Sequence, residues 1–378
     1  MEGLVLGRKI EETEQLNNPV HLNEVVLVLT DVLRLLYSGL VLEEIGMRVL
    51  FVGGTGNISR ACTDACMALG WEVYHLNRGK RKEEVREGVI TLTSDINDTG
   101  RVKELLKDLR FDAIVDWIVF KEEDANRDLD LFLGKTDQYV FISTASAYEK
   151  PPRSLPITES TPLKNPFWQY SQDKIACEEV FLDAFKQKGF PVTIVRPSYT
   201  YGNGWIPSQF GSAEYTIAQR ILSGKPIVVP GDGTNFWTLT HNSDFAKGLR
   251  GLLGNYRAIG EAFHITSDEA YSWDEIYRTL GRSLGVEPKL IHIPSEVIVD
   301  RYPDWTGNLL GDKSYTALFD NSKIKRFVPD FICTTPFSVG LRSSLEWFER
   351  HPEKKVVNPE TDKRLDALVE EFAHIRGR

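Results

Sequence analysis

VLFVGGTGNIS, residues 49–59, joins an apolar run to a predicted helix through three closely spaced glycines. Gly53 suits the tight turn that leaves a strand, and Gly56 lets the backbone approach a bound pyrophosphate. Ser59 stands where a third glycine would allow close helix–strand packing, and serine is small enough to keep that packing. The start of a helix binds phosphate through its free N–H groups and partial positive charge. The stretch therefore predicts a dinucleotide-binding loop; a strand-to-helix turn without a ligand is the alternative.

Around this loop, apolar runs of strand length alternate with helical patterns from Met47 to Ser198. The strand-like runs are RVLFVG, WEVYHLN, GVITLTSDI, FDAIVDWIVF, QYVFIST and PVTIVRPS. Helical patterns separate them, and the longest is KIACEEVFLDAFKQKG. This alternation predicts an α/β fold, with a doubly wound parallel Rossmann sheet that binds NAD(P) over residues 47–198.

The two flanking regions are less regular. Residues 199–378 predict a smaller, mixed lobe that binds substrate, with some segments returning to the Rossmann domain. Residues 1–46 are apolar but are interrupted by Asp31 and Arg34. They predict a helical N-terminal extension that packs on the body or on another subunit, rather than a membrane span or a signal peptide.

Charge and cysteine content restrict the functional classes. The 378 residues carry a formal net charge of -9, which argues against a broad nucleic-acid or anionic-membrane surface. Four cysteines without a secretory signal indicate a reducing compartment, and we expect a cytoplasmic protein. Cys62 and Cys66 are spaced as a zinc pair could be, but no second pair follows, so we interpret them as buried small apolar residues and expect no metal site.

The end of the second predicted strand bears on the choice between NAD and NADP. An acidic residue there would accept hydrogen bonds from the ribose hydroxyls, but Asn77 occupies that position and Arg78 follows. A missing acid beside an arginine suits a 2′-phosphate and favours NADP; a solvated basic turn is the alternative. Asp95 and Ile96, after the third strand, are expected near the adenine. Asn57 and Ile58, at the start of the first helix, complete the expected contacts of the phosphate loop.

A tyrosine and a lysine supply the candidate chemistry. Tyr170 and Lys174 lie four residues apart at the start of the long predicted helix and share one helix face. A nearby ammonium favours the phenolate and would lower the pKa of the tyrosine from about 10 toward neutrality. Such a tyrosine can act as a general acid or base on a hydroxyl or ketone. A surface pair without a role is the alternative.

Hydroxyl groups follow the strand QYVFIST. Ser143, Thr144 and Ser146 come at its carboxyl end, the edge at which open α/β sheets bind ligands. A hydroxyl there can hydrogen-bond a substrate oxygen and stabilise developing charge. The loop, the hydroxyls and the Tyr/Lys pair therefore occur in the order that a hydride-transfer site requires.

These motifs together resemble those of an extended short-chain dehydrogenase/reductase of the NAD-dependent epimerase/dehydratase family. The matching segments are GGTGNIS, SDIND, FISTASAY, YSQDK, RPSYTYG and PGDGTNFWTLTHNSD, between Met47 and about Phe263. The resemblance implies that Thr144 is the catalytic hydroxyl, with Ser146 as second candidate. It implies that Tyr170 is the general acid/base, and that Lys174 also binds the nicotinamide ribose. It places Pro197 and Tyr199, in RPSYTYG, close to the nicotinamide.

The chain also departs from the family pattern. Trp237 stands where members that act on nucleotide sugars usually carry a pyrophosphate-binding arginine. The NRG turn, residues 77–79, and the VDWIVF strand, residues 115–120, resemble an atypical branch that includes proteins similar to chloroplast stem-loop RNA-binding proteins. Ala145 and Ser146 offer no carboxylate for dehydration.

The expected function is therefore an NAD(P)-dependent oxidoreductase or epimerase that transfers hydride at a hydroxyl or keto group of a sugar-like small molecule. A cofactor-binding, non-catalytic RNA-binding or regulatory protein is the alternative. The resemblance also implies a homodimer.

Overall fold

In the computed structural model, which describes residues 46–211 and 215–376, seven parallel strands form the central sheet. The strands of the described residues are β1 (Arg48–Val52), β2 (Glu72–Asn77), β3 (Ile90–Thr93), β4 (Phe111–Asp116), β5 (Thr136–Ile142), β6 (Val192–Pro197), β7 (Tyr199–Tyr201), β8 (Ile227–Pro230), β9 (Phe236–Trp237), β10 (Leu239–His241), β11 (Ala262–Ile265), β12 (Tyr271–Ser272) and β13 (Leu290–Ile293). The sheet order is β3-β2-β1-β4-β5-β6-β11. The predicted doubly wound parallel Rossmann sheet is thereby confirmed.

The strand order also locates the crevice of the sheet. From β1 the chain moves outward to β2 and β3, and it then returns to β4 on the other side of β1. This reversal is the topological switch point, and ligands of such sheets bind outside the carboxyl ends of the strands there. The glycine-rich loop follows β1 directly, so the fold places it at that crevice.

Helices cover both faces of the sheet. In the described residues they are α1 (Asn57–Met67), α2 (Thr99–Leu105), α3 (Glu122–Phe132), α4 (Gln169–Lys188), α5 (Thr216–Leu222), α6 (Asn242–Leu252), α7 (Trp273–Leu284), α8 (Ser295–Arg301), α9 (Ser322–Phe327), α10 (Phe337–Arg350) and α11 (Pro359–Arg376). None of the helices in the described part of the chain combines the length and apolar character needed to span a bilayer.

Alternation along β1 separates two apolar clusters. Val49 and Phe51 pack with Cys62 and Cys66 of α1, and all four side chains are buried. Leu50 and Val52 belong to the cluster on the opposite face. A strand whose two faces are both covered reads as a continuous apolar run, which is what RVLFV shows. The cysteines thus lie in the core, and burial raises the pKa of Cys66 to about 12.

A third apolar cluster forms among residues 201–368 and includes Trp237 and Trp273. The short pairs β7–β10, β8–β13 and β9–β12 lie in the same part of the chain. Two other segments from this part of the chain return to the Rossmann domain. β11 extends the sheet beyond β6, and α6 packs on α1. The boundaries at residues 46 and 198 remain predictions, and the predicted helical extension falls outside the described residues apart from Gly46.

One predicted strand is shorter than its apolar run. FDAIVDWIVF forms β4 only as far as Asp116, because the Asp116 carboxylate accepts a 2.6 Å hydrogen bond from the backbone N–H of Ile118. Such a turn around an aspartate ends regular pairing. The remaining apolar residues therefore leave the sheet at its carboxyl edge.

Candidate active site

Close contacts with neighbouring side chains and the hydrogen bonds of Ser59 fix the conformation of the glycine-rich loop. Gly53 adopts φ +85°, and a Cβ there would lie 2.7 Å from a methyl group of Ile118. A Cβ on Gly54 would lie 2.5 Å from the buried His75 ring. The Ser59 hydroxyl accepts a 2.8 Å hydrogen bond from the N–H of Gly56 and reaches the Gly53 carbonyl at 3.2 Å. Ser59 therefore closes the loop as well as filling the position of a third glycine.

A cavity of about 1410 Å³ opens above this loop. It is larger than the roughly 300–1,000 Å³ of common small-molecule sites, as an extended ligand requires. Eight of the residues predicted to bind the cofactor line it: Gly53, Gly56, Asn57, Ile58, Asn77, Arg78, Asp95 and Ile96. The structure thus brings together the ends of β1, β2 and β3 around one cavity.

Two buried donors show that the cavity suits a polar ligand. Asn77 Nδ2 and Trp117 Nε1 have no hydrogen-bond partner among the described residues, and both residues line the cavity. A buried donor without a partner costs about 1–3 kcal/mol, so such groups are normally satisfied by a ligand or by water. The donors, the glycine cradle and the cavity dimensions fit a dinucleotide.

Four basic residues and the acidic Glu87 line the cavity after β2. Arg78, Lys80, Arg81 and Arg86 line it together with Asn77. The Arg86 side chain already pairs with Asp64 at 2.6 Å and 2.8 Å, whereas Arg78 and Lys80 are exposed. A guanidinium with free N–H groups can bind a phosphate in a bidentate manner.

Four residues predicted to contact the cofactor are not among those that line the cavity: Tyr170, Lys174, Pro197 and Tyr199. Thr200, next to Tyr199, does line it. The Tyr199 hydroxyl donates to the Ser208 carbonyl at 2.7 Å, and its ring packs edge-on against Trp205 with a centroid distance of 4.6 Å. Asn57 lines the cavity and also accepts a 2.9 Å hydrogen bond from Asn242, which ties the phosphate loop to α6.

The predicted catalytic hydroxyls are hydrogen-bonded to one another. β5 ends at Ile142, and the following short turn buries both Thr144 and Ser146. Their hydroxyl oxygens are 3.0 Å apart, and Ser146 also lies 2.7 Å from the Ser171 hydroxyl. The Thr144 hydroxyl is close enough to the Tyr170 phenol to lower its pKa. The structure therefore brings the second candidate hydroxyl next to the first and gives Thr144 the contact with the tyrosine.

Lys174 is buried at the same edge. Its ammonium donates to the carbonyls of Val119 and Ile142 at 2.5 Å and 2.8 Å. An ammonium has three N–H donors, so one remains beyond these two bonds recorded among the described residues. Burial lowers the pKa of Lys174 to about 8. Its nitrogen lies 4.7 Å from the ring centre of Phe120, which lines the cavity, and 5.9 Å from that of Tyr170.

The phenol of Tyr170 is not acidic, in contrast to the expectation from its spacing to Lys174. Burial raises the pKa of the half-buried Tyr170, while the neighbouring Thr144 hydroxyl acts in the opposite direction. The Lys174 ammonium donates to two backbone carbonyls, and its nitrogen lies 5.9 Å from the centre of the phenol ring. The phenol is therefore protonated at neutral pH.

Several residues that line the cavity were not predicted from the sequence to belong to the site. Phe120 and Trp117 come from the apolar tail of the predicted strand, and only the early end of β4 at Asp116 turns them into lining. Arg127 of α3 also lines the cavity. Long-range packing sets these positions, and no local pattern would have found them.

The tryptophan at the family's arginine position is a core residue. Trp237 is 2 % exposed, and its indole N–H donates to the Tyr315 carbonyl at 2.8 Å. Its ring packs edge-on against Tyr199 with a centroid distance of 5.9 Å. It offers no free face for stacking on a ring.

Comparisons with known proteins agree with this architecture. The model of the NAD dependent epimerase/dehydratase family matches residues 49–266, more than half of the chain. The chain is 28% identical over 291 residues to the 2'-dehydrokanamycin reductase of Streptomyces kanamyceticus, covering 76% of this chain and 81% of that protein. It is 26% identical over 259 residues to the chloroplast stem-loop binding protein of 41 kDa b of Arabidopsis thaliana, covering 65% of each.

Solved structures show the same fold. An epimerase from Methanothermobacter thermautotrophicus superposes with a TM-score of 0.67 at 19% identity, covering 82% of this chain and 94% of that one. The UDP-glucose 4-epimerase of Thermus thermophilus, solved in complex with NAD, gives a TM-score of 0.64 at 20% identity, covering 80% of this chain and 99% of that one.

Proposed function

This chain belongs to the NAD-dependent epimerase/dehydratase family, and on that premise we propose that it is an NAD(P)-dependent oxidoreductase or epimerase. Its substrate is a sugar-like molecule that reacts at a hydroxyl or keto carbon. The observation that carries the proposal is the meeting of Thr144, Tyr170 and Lys174 at the carboxyl edge of β4 and β5, beside a dinucleotide-sized cavity.

Each residue has a distinct role in the proposed chemistry. When bound, the nicotinamide group supplies or accepts the hydride. Tyr170 transfers a proton to or from the substrate oxygen, and Thr144 orients the phenol and that oxygen. Lys174 stabilises the arrangement with its charge and directs its remaining N–H donor toward the cofactor ribose. The loop at Gly53 and the N-terminus of α1 hold the pyrophosphate.

The direction proposed for the reaction is reduction of a keto group. A protonated phenol can donate its proton to a carbonyl oxygen as hydride reaches the carbon, whereas oxidation needs a phenolate. Burial raises the pKa of Tyr170, which favours the protonated phenol. The relative from S. kanamyceticus is by name a reductase, which supports the same direction. The missing carboxylate at Ala145 and Ser146 counts against dehydration.

The cofactor proposed is NADP in preference to NAD. Asn77 replaces the acid that would accept from a 2′-hydroxyl and repel a 2′-phosphate. Arg78 and Lys80 line the adjacent part of the cavity and are exposed, so a 2′-phosphate can reach their charges.

The RNA-binding alternative has weaker support. The basic residues recorded in the cavity line a concave site, and the chain as a whole carries a net charge of -9. RNA binding by a broad surface needs many phosphate contacts and a steep salt dependence. The Tyr/Lys/Thr arrangement would have no part in it.

The experiment that tests the proposal compares Tyr170→Phe with the unaltered protein. We expect NADPH to bind both with the same affinity by calorimetry, because only the phenol hydroxyl is removed. Turnover on a panel of keto sugars should fall by about 10²-fold or more in the variant. Tyr256→Phe is the control, since that side chain is 78% exposed and lies in a short turn after α6.

Full turnover by Tyr170→Phe would show that Tyr170 is not the general acid. Absence of NADPH and NADH binding, together with salt-dependent RNA binding, would favour the alternative. Light scattering in solution tests the implied homodimer separately.

A further inference from the structure

Two buried lysines lie close together around the carboxylate of Asp312. Lys150 follows the turn that carries Thr144, and Lys313 ends a π-helical turn at Leu309–Lys313. Their side chains are 2% and 9% exposed, and both approach the carboxylate of Asp312, at 3.8 Å and 3.2 Å respectively. π-helical turns are rare and frequently occur at functional sites. We refer to Lys150, Asp312 and Lys313 as the lysine cluster.

The lysine cluster is not electrically balanced. Asp312 is the acidic partner recorded for both ammonium groups among the described residues, so two positive charges share one negative charge. Burial lowers the pKa of Lys150, and the charge of Lys313 acts in the same direction. Burying an incompletely compensated charge costs several kcal/mol, and a purely structural role would not require the second lysine.

Lys313 is the lysine of this cluster that lies against aromatic rings. The Lys313 nitrogen lies 5.0 Å from the ring centre of Tyr199 and 5.7 Å from that of Trp237. Cation–π contacts stabilise an ammonium by about 0.5–2 kcal/mol without supplying a negative charge. They hold the Lys313 charge in place while leaving it able to pair with an anion.

The turn that carries Asp312 and Lys313 packs against the start of α4. Asn165 donates to the carbonyls of Ser146 and Gly311, both at 2.7 Å. The rings of Trp168 and Tyr170 are 5.1 Å apart, and a Cβ on Gly311 would lie 2.9 Å from Trp168. The negative charge of Asp312 adds to burial in raising the pKa of Tyr170. The lysine cluster therefore lies within electrostatic reach of the proposed proton donor.

We propose that the lysine cluster binds an anionic group of the substrate, a carboxylate or a phosphate, which Lys313 contacts and Lys150 attracts. The inference rests on the proposed function for the reacting carbon, and it adds the charge of the substrate. It favours sugar acids or sugar phosphates over neutral sugars. It also disfavours amino sugars, because a cationic substrate would meet a net positive charge at this site.

The test measures binding of four probes by calorimetry to the full chain, with and without NADPH. The probes are D-glucuronate, α-D-glucose 1-phosphate, D-glucose and D-glucosamine. We expect at least one anionic probe to bind at least tenfold more tightly than glucose, with an affinity that falls as salt is added, and glucosamine to bind no better than glucose. The stronger of the two anionic probes identifies the group as carboxylate or phosphate.

Variants of the lysine cluster are expected to change the affinity for the anionic probes in opposite directions. Lys313→Met should remove the preference for the anionic probe, and Lys313→Arg should retain it. Asp312→Asn should strengthen anion binding, because it removes the competing carboxylate. Lys225→Met is the control, since that lysine pairs with Asp362 and Asp366 in another part of the fold. A merely structural cluster would make Asp312→Asn weaken anion binding as Lys313→Met does.

Equal affinity for glucose and both anions, or no binding of either anion, would overturn the inference. These results do not depend on hydride transfer. Turnover of neutral keto sugars that is lost in Tyr170→Phe, with neither anionic probe bound more tightly than glucose, would keep the proposed function and reject the anionic substrate. If the anionic probes bound with the expected pattern but neither NADPH nor NADH bound, the inference about the lysine cluster would stand and the proposed function would be wrong.

Discussion

Replacing Gly53 by alanine tests whether the glycine-rich loop is built for a dinucleotide. The backbone of Gly53 has φ +85°, a conformation that costs an L-residue about 1–2 kcal/mol. The new methyl group would lie 2.7 Å from Ile118 Cγ2, with the Trp117 Cβ at 3.6 Å. Because the Ile118 methyl sits on a stiff β-branched carbon, relieving this overlap costs a further ~1–3 kcal/mol.

The total of about 2–5 kcal/mol converts to a measurable change in Tm. Unfolding entropy of about 2.1 cal/mol/K per residue, over the roughly 330 residues after Gly46, gives a fall of about 3–7 °C. The same shift moves the loop from the phosphate position, so we expect NADPH affinity to fall at least ~10-fold, or about 1.4 kcal/mol. Differential scanning calorimetry measures the first effect, and isothermal titration measures the second.

Gly224→Ala is the matched control for this prediction. Gly224 has φ +68°, but a Cβ there meets nothing within 4 Å. It should therefore show the backbone cost alone, about 1–2 kcal/mol, with unchanged NADPH affinity. If Gly53→Ala matched Gly224→Ala in both Tm and affinity, the assignment of the loop as the phosphate cradle would be wrong.

Three further predictions concern the residues around the cavity. Thr144→Val should lower turnover by about 10- to 100-fold and leave cofactor affinity unchanged, because it removes the hydroxyl beside the Tyr170 phenol; Thr144→Ser should restore turnover in the same steady-state assay. Arg78→Ala should weaken NADPH by roughly tenfold or more and NADH hardly at all in parallel titrations, whereas the surface variant Arg110→Ala should alter neither. Since burial lowers the pKa of Lys174 to about 8, turnover should fall as pH rises through 8, and Lys174→Arg should shift that limb upward in a pH–rate profile. The stability contribution of Lys174 has the opposite sign: the unfolded chain binds this proton more tightly, so stability from this group should rise between about pH 8 and its ordinary pKa of 10.5.

The sheet was predictable because its signals are local. β1 and its glycine turn, the alternation of strands with helices, and the four-residue spacing of Tyr170 and Lys174 can all be read within short windows. The parallel sheet then places the carboxyl ends of its strands at one edge. That is why eight residues predicted from separate segments line one cavity.

Other parts of the candidate site depend on contacts between distant segments. Phe120 reaches the cavity only because Asp116 ends β4 early, which an apolar run does not reveal. The lysine cluster combines residues that are more than 160 positions apart, and Lys313 belongs to a π-helical turn without a recognisable sequence signal. The pKa of Tyr170 also depends on burial and on the neighbouring Thr144 and Asp312, and its spacing to Lys174 reports none of these.

The most direct test of the central claim is deuterium transfer from NADPH labelled at nicotinamide C4 to a keto-sugar carbon, followed by mass spectrometry. We predict one deuterium in the alcohol product of the unaltered protein, and loss of that product in Tyr170→Phe while NADPH still binds. Labelled product at the same rate in Tyr170→Phe, or no transfer to any ketone by a protein that binds NADPH, would contradict the account.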